Sequence, residues 1–450
     1  MKTLRFVVAS VALLGSVSAF ATNARVESMG KKSTFIMDDV SIFDNPANIS
    51  LYPNFLIGEL GVYTYPEGSV RPGENKDPLN PWFGGIFSLD IGGGNSLSIA
   101  GVLNRKDEKL FKFFPDRIAT TTTNNGISTP EPVTNFDGFL GANFNNKAVG
   151  LHVYIAHQDG LNGNGDISPD AFVSALQLDG GINFELSSNY SMEVSGGMAR
   201  IQYGPTDREL FDMDLISGFG SARLFSRVQA INGHLIPATN FRIMNAPGRE
   251  EFEVGGGMGV DAAFDRGFFW LGFELFYNNQ RAGSNWERLA LKENGQPPTQ
   301  DEIMYDGVTG TPTTIFRDIE GSDDWNDGDV TRLWKFGGTI SFGIERNIWW
   351  DWFVLRVGGQ KTIAYADYKA AKSNPNSILC PTANCMEDGN YFITNAVNDG
   401  TRNDNVGFGF GINIEEKLKI DFTVAEDVVF RNPFQGEGRL ISRVSATYSF

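Results

Sequence analysis

The sequence predicts an all-β protein, a transmembrane antiparallel β-barrel. Three observations carry that prediction. A secretory signal opens the chain, alternating strands recur behind it, and the connections between strands are short at one end of the sheet and long at the other. Each element follows in chain order.

Lys2 and Arg5 precede an apolar run from Phe6 to Leu14, and small residues lead to Ala19-Phe20-Ala21. This is the order of a signal peptide, residues 1–21, with Thr22 as the expected mature N-terminus. The apolar run is too short for the roughly 20 residues a spanning helix needs. Later apolar stretches, Phe268 to Tyr277 and Ile348 to Val357, are broken by Gly272, Glu274, Asp351 and Arg356. A helical inner-membrane protein is therefore excluded.

Residues 22–54 have no clean period, are rich in small polar residues, and contain Asp38-Asp39 and Asn45-Pro46-Ala47. A large barrel has an interior that must be filled or left to conduct, and a segment entering the lumen is one way to fill it. Residues 55–450 are read as the barrel itself. Strands are expected near 55–65, 82–91, 95–105, 134–144, 147–157, 171–185, 189–203, 217–228, 235–245, 252–264, 268–279, 331–345, 349–361, 404–415, 418–426 and 439–450. Val406, Phe408, Phe410, Ile412 and Ile414 alternate with Gly407, Gly409, Gly411, Asn413 and Glu415. On the last strand Val444, Ala446, Tyr448 and Phe450 share one face, and Arg443, Ser445, Thr447 and Ser449 the other. Counting every run gives sixteen strands. The run 217–245 is the doubtful hairpin, because Pro237 weakens a strand, and without it the count is fourteen.

Short turns fall near 91–95, 145–147, 186–189, 265–267, 346–348 and 415–417, whereas connections such as 106–133, 280–330 and 363–403 are long. Outer-membrane barrels show this asymmetry, with short turns in the periplasm and long loops outside. Trp349, Trp350 and Trp352 beside one short turn suit the inner aromatic girdle. Charges of both signs, at Glu193, Glu274, Lys335, Glu345, Arg356, Glu415, Lys419, Asp421 and Arg443, occupy the polar faces. Facing lipid near the midplane, Lys or Arg would each cost about 2–4 kcal/mol, so the polar faces are expected to line a wet interior.

Composition narrows the function. Removing Lys2 and Arg5 leaves 35 basic against 54 acidic residues, a net charge of −19. Such acidity excludes nucleic acid as a partner. Cys380 and Cys385, in Cys-Pro-Thr-Ala-Asn-Cys, are read as a loop-closing disulfide of an exported protein. The rival, half a zinc site, would need ligands beyond His152, His157 and His234. The loop 158–170 resembles part of a calcium loop, but taking Gly165 as its sixth residue puts Gly160 and Ala171 where carboxylates belong, so an ordinary loop is expected. The acidic stretch 280–330 is read as a solvated loop rather than a cation site. His152 lies on a polar face with no Ser–His–Asp trio evident around it; a lone inward histidine is more often a satisfied interior residue than a catalyst. No enzyme activity, metal or cofactor is expected.

The stretch Ala24-Arg25-Val26-Glu27-Ser28-Met29-Gly30, followed by Asp38-Asp39 and Asn45-Pro46-Ala47-Asn48, resembles the opening of the FadL-like superfamily of outer-membrane barrels. That superfamily includes transporters of long-chain fatty acids and aromatic hydrocarbons, and PorV-type barrels. The resemblance implies about fourteen strands, with Asp38, Asp39, Asn45, Pro46 and Ala47 in a lumenal plug. Lys31-Lys32 and Asn48 depart from the family pattern. Tyr448 and Phe450 are read as the signal to the barrel-assembly machinery. The expected function is an outer-membrane channel for uptake of small hydrophobic solutes, in contact with outer-membrane lipid and lipopolysaccharide. The alternatives are a PorV-like scaffold or surface anchor for secreted proteins, and a general aqueous porin.

Overall fold

A computed structural model describes residues 23–30, 34–61, 81–105, 107, 110, 117–118, 127–128, 134–145, 147–159, 171–205, 213–246, 249–283, 330–369, 389–394, 406–415, 417–424 and 441–450. The signal peptide, Cys380 and Cys385, and most of loops 158–170 and 280–330 lie outside the described residues.

The barrel strands are β1 (Phe55–Gly61), β2 (Trp82–Gly92), β3 (Asn95–Leu103), β4 (Thr134–Phe144), β5 (Lys147–Asp159), β6 (Ala171–Ser187), β7 (Tyr190–Pro205) and β8 (Met213–Val228). They continue as β9 (Gly233–Ala246), β10 (Arg249–Phe264), β11 (Gly267–Gly283), β12 (Val330–Asn347) and β13 (Phe353–Lys369). Then come β14, β15 (Leu418–Val424) and β16 (Ile441–Ser449). Strand β14 is in two pieces, Gly389–Thr394 and Val406–Ile414, each antiparallel to a different stretch of β13, so they count as one wall position. Each strand pairs with its neighbour in sequence, and β1 pairs with β16 from Phe55↔Ser449 to Gly61↔Arg443. The sheet is closed with sixteen strands, not fourteen. Pairing of the first strand with the last joins the two edges that an open sheet would leave unpaired.

The doubtful hairpin belongs to the wall. β8 pairs with β7 on one side and β9 on the other. Pro237 has no N–H to give, and the β8–β9 ladder skips it, running from Arg223↔Ala238 to Ser226↔Leu235. On the other side Pro237 stays in register with Met258 of β10. One interrupted ladder is tolerated because the flanking pairs hold the strand.

The alternation has the expected sense. Phe83, Leu151, Met198 and Phe336 point outward and are 51–65% exposed, while Ser98, Glu274, Ser341, Asp421 and Ser445 on opposite faces are buried. Glu193, Glu345, Arg356 and Lys419 are buried too. Glu415 does not join the inward set. It sits exposed in the β14–β15 turn with φ 53°, because the strand ends at Ile414. The β2–β3 turn uses Gly92, Gly93 and Gly94, all at positive φ, where a side chain would be strained. Trp349 adopts φ 61° in the β12–β13 turn, stacks on Phe353, and shares that turn with the parallel pair Trp350–Trp352. Among the described residues no helix is long and apolar enough to cross a membrane.

Candidate functional site

Residues 23–54 fold into a short helix α1 (Asn23–Ser28) and two 3-10 turns, Asp39–Phe43 and Pro46–Leu51. Asn45 starts the second turn by accepting the Ala47 N–H at 3.1 Å, and Pro46 follows it, where a missing N–H costs nothing. Helical propensity is weak here; what fixes the segment is contact with inward strand residues.

Three groups of inward glycines make those contacts possible. A Cβ on Gly150 would overlap the backbone of Pro46 and Ala47, and one on Gly181 the Asn45 side chain. On Gly259 or Gly272 it would enter the Phe35 ring. On Gly358 it would strike the Met29–Gly30 backbone, and on Gly407 that of Glu27 and Ser28. These glycines sit within seven residues of the short-turn ends of their strands, so the segment lies at that end of the interior.

Polar anchors supplement the packing. Arg25 makes a two-pronged bond to Glu345, Nε to Oε2 at 2.8 Å and Nη2 to Oε1 at 2.6 Å. Glu345 also accepts from Arg356 Nε at 2.9 Å, and Arg356 Nη1 reaches Asp421 at 2.6 Å. Arg223 of β8 bonds Glu193 and donates to the carbonyls of Thr34 and Ile36. Asn183 of β6 links Asn45 and Asn48, and Ser195 donates to the Asp44 carbonyl at 2.8 Å. Ala24 is held by Thr423 and Ser445.

Asp38 and Asp39 are fully buried, and none of their carboxylate oxygens has a side-chain partner among the described residues. Burial pushes the Asp38 carboxyl up to about 7, helped by Asp44 and opposed by Arg25 and Arg223. Burial raises Asp39 well above the ordinary carboxylate range, with Asp38 and Asp421 adding to it. A raised acid favours the seated segment while it is protonated. That contribution is complete below the ordinary value near 4 and is lost as pH rises through about 7. Hydrogen exchange of residues 34–54 is therefore expected to speed up, beyond the intrinsic chemical rate, between pH 5 and pH 8. Asp38→Asn should flatten that rise; an unchanged profile in the variant would assign it elsewhere.

A second cluster lies deeper along the interior. His152 of β5 bonds Asp179 through Nδ1 at 2.7 Å and Asp137 through Nε2 at 2.9 Å, and stacks on Phe139 at 4.2 Å. Arg105, just beyond β3, grips Asp137 and Asp107 and lies 3.9 Å over the Phe43 ring. Gln177 donates to Asp179 at 3.0 Å. Both ring nitrogens of His152 bond carboxylates of neighbouring strands, so the cluster ties β4, β5 and β6 together. Sequence reasoning found His152 but missed its partners. The direct pairing of His152 with Asp179 across β5 and β6 was the available signal.

Beyond this cluster, toward the end with long connections, the inward face turns apolar. Tyr154, Ala156, Ala175, Ala199, Ile201, Leu215 and Met244, with Leu110 from the β3–β4 connection, form one buried cluster. Its strand members come from β5 to β9 and lie seven or more residues from the short-turn ends. Among the described residues no group of three or more His, Cys, Asp and Glu is disposed to hold a metal ion.

No family model matches the chain, and no curated protein does. Among solved structures it is similar to the Pseudomonas putida toluene transporter TodX, with 10% identity over 95% of this chain and 96% of that one, TM-score 0.32. It is similar to OmpT, an outer membrane protein of Vibrio cholerae, with 7% identity over 88% of this chain and 96% of that one, TM-score 0.32. BamA from Haemophilus ducreyi lacking POTRA domains 1–3 matches at 11% identity over 88% of this chain and 70% of that one, TM-score 0.36. Likenesses at this level assign neither a family nor a substrate. What stands on the chain's own strand pairing is a closed sixteen-stranded antiparallel barrel, apolar outside and mixed polar and apolar within.

Proposed function

We propose that the chain is an outer-membrane channel for uptake of small hydrophobic solutes, with residues 23–54 as its plug. The observation that carries this reading is the buried apolar cluster of Tyr154, Ile201, Leu215 and Met244 on the inward face, which lies beyond the His152 cluster and which no residue of 23–54 joins. An aqueous pore would keep those positions wet. An apolar patch beyond a filled end is a resting place for a solute that leaves water readily, and burying it there gains about 25 cal/mol per Å² of apolar surface. Transport then needs no chemistry, only movement of the segment. The Ala24–Asn48 resemblance to FadL-like transporters supports the same reading, as does an outward apolar belt suited to lipid.

Tyr448 and Phe450 are the proposed assembly signal. Both are exposed on the outward face, and the Phe450 ring lies 5.6 Å from that of Phe87.

Leu215→Asp tests the solute site. A buried carboxylate there should cut uptake of a small aromatic hydrocarbon by reconstituted vesicles severalfold, without changing barrel yield or heat-modifiable gel mobility. Undiminished uptake by a folded variant would remove the apolar cluster from the pathway.

A further inference from the structure

We propose that the solute carries a hydroxyl group, and that Asn278 of β11 accepts its hydrogen bond while the apolar cluster takes the rest of the molecule. This rests on the solute site proposed above. What it adds is the solute's class, an alcohol or phenol, and the residue that selects it.

The register sets inward side chains of neighbouring strands in rows. One row runs Ser217, Met244, Glu251, Gln280, Leu333 and Tyr368, from β8 to β13. Met244 belongs to the apolar cluster, and Leu333 and Tyr368 are buried on the far side. Glu251 and Gln280 are therefore a polar interval between apolar neighbours. Asn278 lies in the adjoining row, toward the short-turn end, between Glu253 and Lys335.

Asn278 is 5% exposed, and its amide is engaged on one side only. Nδ2 donates to Glu251 Oε1 at 2.8 Å and to Glu253 Oε2 at 3.2 Å. Turning the amide over would set Oδ1 against two carboxylates, so these bonds fix which atom is which. Oδ1 is then left buried, with no hydrogen-bond partner among the described residues. Such an acceptor is costly in an apolar surround, and a donor relieves it. The charged side chains nearby, Glu251, Glu253, Arg242 and Lys335, are engaged with partners of their own. A hydroxyl therefore fits: it donates one hydrogen bond without bringing a further charge among them. A carboxylate-headed solute has only acceptors to offer and would meet Oδ1 and the Glu251 carboxylate together. Glu251 stands directly opposite Met244, and two strand spacings, about 10 Å, separate the backbones of Met244 and Gln280. One small molecule can thus hold its hydroxyl at Asn278 and its apolar part against Met244.

The test measures binding of three probes, p-cresol, p-xylene and p-methylanisole, to the full mature chain refolded in detergent, by ligand-observed NMR. All three carry a para-methyl ring, and only p-cresol can donate a hydrogen bond. The wild type should bind p-cresol about tenfold more tightly than either of the others, each corrected for uptake by protein-free micelles. Asn278→Leu should bind all three alike. Gln280→Leu, which leaves Asn278 and both its carboxylates in place, should keep the preference. Heat-modifiable mobility shows that each variant is folded, and the wild-type comparison decides the matter if Asn278→Leu does not fold. Equal wild-type affinity for p-cresol and p-methylanisole would mean that water meets the Asn278 acceptor, and would overturn the proposal. So would a folded Asn278→Leu variant that keeps the preference, or a wild type that binds no probe. Equal binding of all three that Leu215→Asp abolishes would leave the apolar site standing and remove the hydroxyl. A preference for p-cresol in a barrel that passes no solute would leave Asn278 its role and remove the transport reading.

Discussion

Replacing Gly150 by leucine is expected to raise single-channel conductance in planar bilayers severalfold, toward that of a variant lacking residues 23–50. The new side chain would occupy the space of the Pro46–Ala47 backbone. Gly150 sits in a strand paired on both sides, to Gly141 of β4 and Gly181 of β6, so the wall cannot yield without breaking two ladders. The segment is the softer party, held by two 3-10 turns and side-chain bonds, and it must move. Gly138→Leu is the control, since Gly138 faces outward near the Phe136 ring. If the Gly150 variant and the deletion both fold and both conduct as the wild type does, residues 23–54 do not occlude the lumen.

The second large effect is expected at Arg25. Its pair with Glu345 is buried on both sides, so removing one partner should weaken seating of α1 by about 3 kcal/mol, the low end of what breaking a buried pair costs. Every 1.4 kcal/mol is tenfold, so Arg25→Met should speed thiol labelling at Ser28→Cys on the order of 100-fold. Glu345 keeps Arg356 as a partner, which limits collateral damage to β12. Replacing both members, Arg25→Met with Glu345→Met, should recover much of the protection, because an apolar pair avoids the uncompensated charge. No recovery in the double variant, or no change in the single one, would show that the glycine contacts alone seat the helix.

These expectations drew on two different sources. Outward and inward faces were legible because strand side chains alternate with a period of two, and a lipid-facing charge is costly enough to fix which face is which. Most strand positions followed for the same reason, down to β1 starting at Phe55, but 363–403, read as a connection, holds the end of β13 to Lys369 and the Gly389–Thr394 piece of β14. The choice between fourteen and sixteen was not legible. It depended on Pro237, whose missing hydrogen bond argues against a strand locally but is absorbed when both neighbours are already paired. Glu415 was misassigned by continuing an alternation one residue past the strand end, where a turn resets direction.

The site was legible only in part. Asp38, Asp39, Asn45, Pro46 and Ala47 stood out by type and spacing, and all five are buried, as the proposed plug requires. Their partners did not, because Arg25 and Glu345 are 320 residues apart and Asn45 and Asn183 are 138. Nothing local in the chain encodes such a pairing. It exists only once sixteen strands have closed and set the inward faces around one axis. The sequence by itself determined the barrel, its polarity and its asymmetric ends, since these rest on periodicity and on the cost of charge in lipid. Tertiary structure alone decided the strand count, the glycine seats beneath residues 23–54, and the gathering of Ile201, Leu215 and Met244 into one apolar patch. Those depend on register between strands, which a single strand's pattern does not carry.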